Sequence, residues 1–177
     1  AANFLKKIGW EYSIHEMVPE KLSGRGAGIA TYDELAKLVY FTTGFKDPLG
    51  TKCNERVVLN KHNSITKKTN YPQVFTSWQY LYDILLSKIN KSKYYLGDEC
   101  INIIKNQSET ILEFKNGKSI KADLIIIANG LRSDLKKNVD INIPKFAGYV
   151  GWRGLVDENL LSKETLNIVS KFFCFVL

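Results

Sequence analysis

Residues 1–16 read Ala-Ala-Asn-Phe-Leu-Lys-Lys-Ile-Gly-Trp-Glu-Tyr-Ser-Ile-His-Glu, and two periodicities lie side by side in them. Ala1, Phe4, Leu5 and Ile8 fall at i, i+3, i+4 and i+7, the spacing of one helix face. Gly9 supplies a C-terminal stop. Trp10 to His15 then alternates apolar and polar, as a strand does, and ends at Glu16. Helix, strand and terminal acid have the order found in the back half of a dinucleotide-binding βαβ unit. In such a unit an Asp or Glu about 20 residues past a Gly-rich turn accepts bonds from ribose hydroxyls. Counting back from Glu16 places that turn just ahead of Ala1. A surface carboxylate after a strand has the same pattern, so Glu16 alone leaves both readings open.

Working outward, Pro19 and Ser23-Gly24-Arg25-Gly26-Ala27-Gly28 read as loop. Three glycines in five positions let backbone approach a ligand or take positive φ, and a flexible loop is the plain alternative. Thr31-Tyr32-Asp33-Glu34 has capping-box spacing ahead of Leu35, Leu38 and Val39, which predicts a short helix. Residues 52–75 read as short strands around a polar turn at Lys61-His62-Asn63-Ser64. Ser77 can cap a helix with Trp78, Leu81, Tyr82, Leu85, Leu86 and Ile89 on one side. Cys100 to Lys105, Thr110 to Lys115 and Lys118 to Asp123 form an antiparallel set, with Asn116-Gly117 as the hairpin signal.

Leu124-Ile125-Ile126-Ile127-Ala128 is apolar on both faces, as a buried parallel strand would be. It leads to Asn129-Gly130, and ligands in open α/β sheets sit at the carboxyl ends of strands; an ordinary left-handed turn is the alternative there. A short helix over about 132–138, a strand from Tyr149 to Val156, a helix from about Asp157 to Lys171 and a last strand complete the pattern. Within Phe146 to Gly154, Trp152 and Arg153 point to opposite faces of a strand. One face can meet a planar ligand while the other packs, although core packing of Trp152 is the plainer reading.

The composition narrows the classes. At 177 residues with 45% hydrophobic content the chain supports a real core. No apolar run approaches the ~20 residues of a membrane helix. Cys53, Cys100 and Cys174 show no metal-ligand spacing and no disulfide framework, which fits a reducing cytosol. The net charge of +7 comes mainly from scattered lysines, with only Arg25, Arg56, Arg132 and Arg153 beside them. There is no basic stripe interleaved with aromatics, so a Lys-rich solvated surface, not nucleic-acid binding, is expected. Both ends lack turns or caps, which predicts a segment of a longer protein.

The order of these segments resembles the FAD-dependent aromatic-ring monooxygenases of the para-hydroxybenzoate and salicylate hydroxylase type, and within them the 2,6-dihydroxypyridine 3-hydroxylase branch. The matching stretches are Lys7 through Glu16, Leu22 to Ile29, Thr76-Ser77-Trp78-Gln79-Tyr80-Leu81-Tyr82, Ala122 through Ser133 and Ala147 through Val156. The resemblance implies an α/β fold: a Rossmann-like FAD-binding domain over 1–145, without its first strand and GxGxxG, carrying an antiparallel β insertion. Residues 146–177 would begin a mixed-sheet substrate domain, to which about 45–75 also contribute.

The resemblance also implies roles. Glu16 would hold the adenosine ribose and Arg25 the adenosine-pyrophosphate part of FAD. Ala27, Gly28 and Ile29 would pass the flavin ring, Ile101 would lie near the adenine, and Asn129 and Gly130 would contact the pyrophosphate and ribityl chain. Tyr149, Trp152 and Arg153 are candidates for the flavin and substrate region. Asn129 replaces the family's Asp, turning an acceptor pair into one acceptor and two donors. Lys136 stands where the family has Arg, losing a bidentate fork, and Met17 also replaces a frequent Arg. Trp78 takes a position where many relatives carry a cofactor-binding Arg.

The implied activity is NAD(P)H-dependent hydroxylation of an aromatic or N-heteroaromatic ring by O₂ through a flavin C4a-hydroperoxide, with no metal. The implied partners are a small aromatic substrate and O₂, with a homodimer left open. The cofactor carries that chemistry, so no triad or paired carboxylates are expected, and neither His15 nor His62 is a good base. A flavin-dependent reductase or a non-catalytic binding module are the competing classes.

Overall fold

In a computed structural model, the described residues are 1–24, 28–106, 109–130, 135, 145–150 and 154–176. The chain divides into two units: Ala1–Ser23 with Lys88–Gly151, and Gly24–Ser87 with Trp152–Leu177.

The first unit opens with α1 (Ala2–Lys7). Its end is a Schellman motif: Gly9 N–H donates to Lys6 O, Trp10 N–H donates to Leu5 O, and Gly9 takes φ +81°. The helix face differs from the expected one. Asn3 is buried, whereas Phe4 and Ile8 are exposed. The strand after it is also shorter than the alternation over 10–15 suggests. Only β1 (Ile14–Glu16) forms, and it lies parallel to β5 (Tyr94–Leu96). A strand's extent is set by the length of its partner, and β5 has three residues.

β6 (Cys100–Lys105), β7 (Thr110–Phe114) and β8 (Ser119–Ala122) form the expected antiparallel sheet. The β7–β8 turn closes where Asn116-Gly117 predicts it, with Gly117 at φ +83° and Phe114 N–H donating to Lys118 O. Phe114 is buried at its root. Leu124 to Ala128 is not the expected buried strand: it belongs to no strand, and Leu124 and Ile126 are each 52% exposed. An apolar run becomes a doubly covered strand only when neighbours pair with both its edges, and no described strand does so. Of the helix expected over 132–138, only Leu135 lies within the described residues, where it is buried.

The second unit is built on a mixed sheet in the order β2 (Gly28–Thr31), β4 (Ile65–Ser77), β3 (Thr51–Leu59), β9 (Phe173–Val176). β3 and β9 run parallel and the other pairs are antiparallel. The strands over 52–75 are therefore long, not short. Their turn falls at 60–64, where Asn60 Oδ1 accepts from His62 N–H and Ser64 N–H.

Gly28 and Ile29 belong to β2 and not to the preceding loop. That pairing also removes the expected capping box. Thr31 closes β2 and donates its hydroxyl to Val74 O at 3.0 Å, leaving Tyr32 as the N-cap of α2 (Asp33–Thr43), without a side-chain cap bond. Ser77 does cap α3 (Trp78–Leu86), accepting from Tyr80 N–H at 3.0 Å. The helix stops before Ile89. Val39 of α2, Leu49 and Ile84 of α3 make the core between these helices, with Leu35, Phe45, Leu81 and Leu85 packed against it. Near the end, the expected long helix is instead a 3₁₀ turn at Glu158–Leu160 followed by α4 (Lys163–Val169), which Ser162 caps onto Thr165 N–H. Residues 149, 150 and 154–156 form no strand, and 151–153 lie outside the described residues. No helix among the described residues is long and apolar enough to cross a membrane.

Candidate functional site

The carboxyl ends of β1 and β5 hold a polar cluster of the first unit. Two backbone bonds lock the loops beyond the strands together: Asp98 N–H donates to Glu16 O at 3.0 Å and Gly97 N–H to Val18 O at 3.1 Å. Gly97 takes φ +76° in this crossover, where L side chains are strained. The parallel pairing places His15 beside Tyr95. The two rings stack at 4.9 Å, and Phe114 packs on His15 at 4.7 Å.

Asp98 is saturated. Oδ2 accepts from His15 Nδ1 at 3.0 Å and from Lys118 Nζ at 3.2 Å, and Oδ1 accepts from Asn116 Nδ2 at 3.0 Å. The His15 bond, followed by the Lys118 cation, holds its carboxyl below the ordinary aspartate range, against the opposing effect of burial. An ionised carboxylate only accepts, so His15 carries its hydrogen on Nδ1. Nε2 meets Ser13 Oγ at 2.9 Å. Both ring nitrogens are therefore engaged.

Glu16 is the opposite case. Half-buried at the strand end, it uses Oε1 to accept Val18 N–H at 3.0 Å, and Oε2 has no partner among the described residues. Of these two carboxylates, only Glu16 leaves an oxygen without a partner among the described residues. A carboxylate with a pinned stem and a free oxygen suits a vicinal diol, so the acceptor at this strand end fits the hydroxyls of a dinucleotide ribose.

The remaining candidates are distributed as follows. In the first unit, Ile101 lies at the irregular start of β6 and is 54% exposed. Asn129 and Gly130 are exposed, and Gly130 takes φ +83°. Tyr149 is 79% exposed. In the second unit, Gly28 and Ile29 open β2, opposite Ser77 and Thr76. A Cβ built on Gly28 meets nothing within 4 Å, so this strand edge is open to close approach. Arg25, Ala27, Trp152 and Arg153, with Lys136, lie outside the described residues. Asp98, Asn116 and Lys118 carry no site motif in the sequence. Only the hairpin signal at 116–117 and the pairing of β1 with β5 bring them to His15.

No family model matches the chain. It is 25% identical over 180 residues to the 2,6-dihydroxypyridine 3-monooxygenase of Paenarthrobacter nicotinovorans, covering 100% of this chain and 45% of that protein. In fold it matches the 2,6-dihydroxypyridine-3-hydroxylase of Arthrobacter nicotinovorans with a TM-score of 0.82 at 22% identity, over 93% of this chain and 42% of that one. It also matches Klebsiella pneumoniae HpxO complexed with FAD and uric acid, with a TM-score of 0.62 at 17% identity, over 74% of this chain and 36% of that one. The mixed α/β architecture is thus that of flavin monooxygenases, and the chain spans less than half the length of the relatives it matches.

Proposed function

We propose that the protein carrying this chain is an FAD-dependent monooxygenase that uses NAD(P)H and O₂ to hydroxylate a small aromatic or N-heteroaromatic ring. The observation that carries the reading is that nearly the whole of this chain is similar, in sequence and in fold, to part of a dihydroxypyridine monooxygenase. The free carboxylate oxygen of Glu16 at the β1 terminus supports it from the chain's own geometry.

In this reading residues 1–145 belong to the FAD-binding part, residues 146–177 begin the substrate part, and about 45–75 contribute to the substrate side. Glu16 accepts hydrogen bonds from the adenosine ribose, and Arg25 faces the adenosine-pyrophosphate. Ile101 lies near the adenine. The backbone at Asn129 and Gly130 faces the pyrophosphate and ribityl chain, and Ala27, Gly28 and Ile29 run past the ring system. Tyr149, Trp152 and Arg153 border the substrate. The bound flavin supplies the electron transfer and oxygen activation; the protein contributes binding, orientation and exclusion of water. Asn129 offers donors where a carboxylate would repel phosphate oxygens, so its presence is compatible with that contact.

The complete gene product, purified, is expected to show flavin absorbance and to oxidise NAD(P)H faster when a phenol or pyridinol is added, with a hydroxylated product. A protein that never retains flavin would sink the reading. Oxidation with no hydroxylated product would make it a flavin reductase instead.

A further inference from the structure

The mixed sheet of the second unit holds a cation that the proposed cofactor contacts do not use. Arg56 lies in β3, opposite Thr69 of β4 and Phe173 of β9. Its guanidinium carbon sits 3.6 Å from the centroid of the Tyr71 ring and 5.8 Å from that of Phe173. Nη2 donates to Gln73 Oε1 at 2.8 Å. Nε is buried and has no acceptor among the described residues. The adjacent carboxylate, Glu55, is taken by Lys68 at 2.8 Å. Among the described residues no carboxylate lies within ion-pair distance of Arg56.

The surroundings are aromatic and reachable. Phe75 stacks on Phe173 at 4.6 Å, and Phe173 meets Phe175 edge-on at 5.0 Å. Tyr71 and Phe175 remain 46% and 45% exposed. The register of β4 against β3 jumps here, from Cys53↔Gln73 to Glu55↔Asn70, so Tyr71 and Pro72 share one place opposite Asn54. Pro72 has no N–H to lose to a bulge, and bulges re-aim side chains beside functional sites.

A buried donor without an acceptor costs free energy, and a guanidinium without a counter-charge costs more. The partner that answers the charge and the rings is flat and negative: with Nε closed to solvent, it meets the outer N–H groups of the fork and stacks on the rings. Scattered surface carboxylates of a protein partner answer only the charge.

We infer that Arg56, braced by Tyr71 and Gln73 beside Phe173, binds the substrate of the proposed reaction, and that this substrate is an aromatic ring carrying a negative charge. The inference rests on the monooxygenase reading and adds the charge class of the ring.

The test uses the flavin-loaded complete protein and two rings of the same shape, 4-hydroxybenzoate and 4-hydroxybenzamide, of which only the first carries a negative charge and a second acceptor oxygen. Binding is read from the perturbation of flavin absorbance. The wild type is expected to prefer the benzoate. Arg56→Gln should weaken the benzoate about tenfold or more, the scale of a lost charge-assisted pair. It should leave the amide within about twofold and flavin content unchanged. Arg56→Lys, which keeps the charge without the fork, should retain part of the preference and serves if the Gln variant does not fold.

An unchanged benzoate-to-amide ratio in folded, flavin-loaded variants would overturn the inference. So would equal weakening of both rings with a lowered melting temperature, which marks a merely structural clamp, or a flavin-loaded wild type that binds neither ring. A wild type without flavin removes the monooxygenase reading, and this inference with it.

Discussion

His15 and Asp98, 83 residues apart in the sequence, meet at 3.0 Å between Nδ1 and Oδ2, and this bond closes the end of the parallel β1–β5 pair. Lys118 reaches the same oxygen at 3.2 Å while its ammonium lies 4.2 Å from the Tyr95 ring centroid. The cluster ties three segments together: the β1 terminus, the loop after β5 and the β7–β8 turn. Replacing Asp98 by Ala leaves His15 Nδ1–H, Lys118 and the Asn116 amide without their acceptor. The expected loss is about 1–3 kcal/mol of stability, read by denaturant unfolding of the complete protein. A loss inside measurement error would mean that water replaces the carboxylate at no cost.

The same carboxylate sets a pH dependence. Asp98 is held below the ordinary aspartate range, first by His15 and then by Lys118. A depressed folded value means that the unfolded chain binds the proton more readily. The stabilisation is therefore fully present above the unfolded value and is lost as pH falls through the folded one. Melting temperatures taken downward from about pH 5 should fall more steeply for wild type than for Asp98→Asn. Parallel curves would show that Asp98 titrates alike in both states.

Local chemistry was legible wherever the responsible atoms lie close in sequence. Gly9 ends α1, Asn116-Gly117 turns the hairpin and Ser77 caps α3, because each is decided within a few residues. Readings failed where a distant partner decides. Thr31 has the side chain and spacing of a cap, yet β4, more than 40 residues on, claims it through Val74. Leu124 to Ala128 has the composition of a buried strand, but composition states what burial would gain, not that a neighbour is present to provide it. At the site, Glu16 was readable as an acid ending a strand. The difference between it and Asp98, one oxygen free against none, needed the fold.

Ser77 gives the local reading a number. Its hydroxyl caps the N-terminus of α3 by accepting from Tyr80 N–H. Ser77→Ala should cost about 1 kcal/mol, the ordinary loss of an N-cap, and Ser77→Asp should restore most of it. Equal stability of Ala and Asp variants would mean that solvent caps this helix as well as the side chain does.

Gly50 tests close packing at the sheet. A Cβ there would collide with the Phe75 carbonyl oxygen and stand 2.8 Å from its carbon and 3.0 Å from Thr76 Cα. These are backbone atoms of β4, paired on both sides by β2 and β3, so no rotamer change relieves the clash. Gly50→Ala should destabilise by about 1–3 kcal/mol or more, whereas Gly28→Ala, where a Cβ meets nothing within 4 Å, should be far milder. Similar melting temperatures for the two variants would contradict this approach of backbones.

Glu16 carries the sharpest functional expectation. If its unpartnered Oε2 receives the ribose hydroxyls, Glu16→Gln replaces one of two acceptor oxygens by a donor and removes the charge. The Val18 N–H bond can still form to the remaining oxygen, so the fold should persist. Flavin affinity of the complete protein should then drop about tenfold, the value of one charge-assisted hydrogen bond, with little change in melting temperature of the flavin-free form. Asp98→Asn is the control. Its oxygens are already occupied by His15, Lys118 and Asn116, so it should weaken the flavin-free fold more than it weakens flavin binding by the molecules that remain folded. If the two variants exchange these phenotypes, the acid that faces the cofactor is Asp98, and the assignment of Glu16 falls.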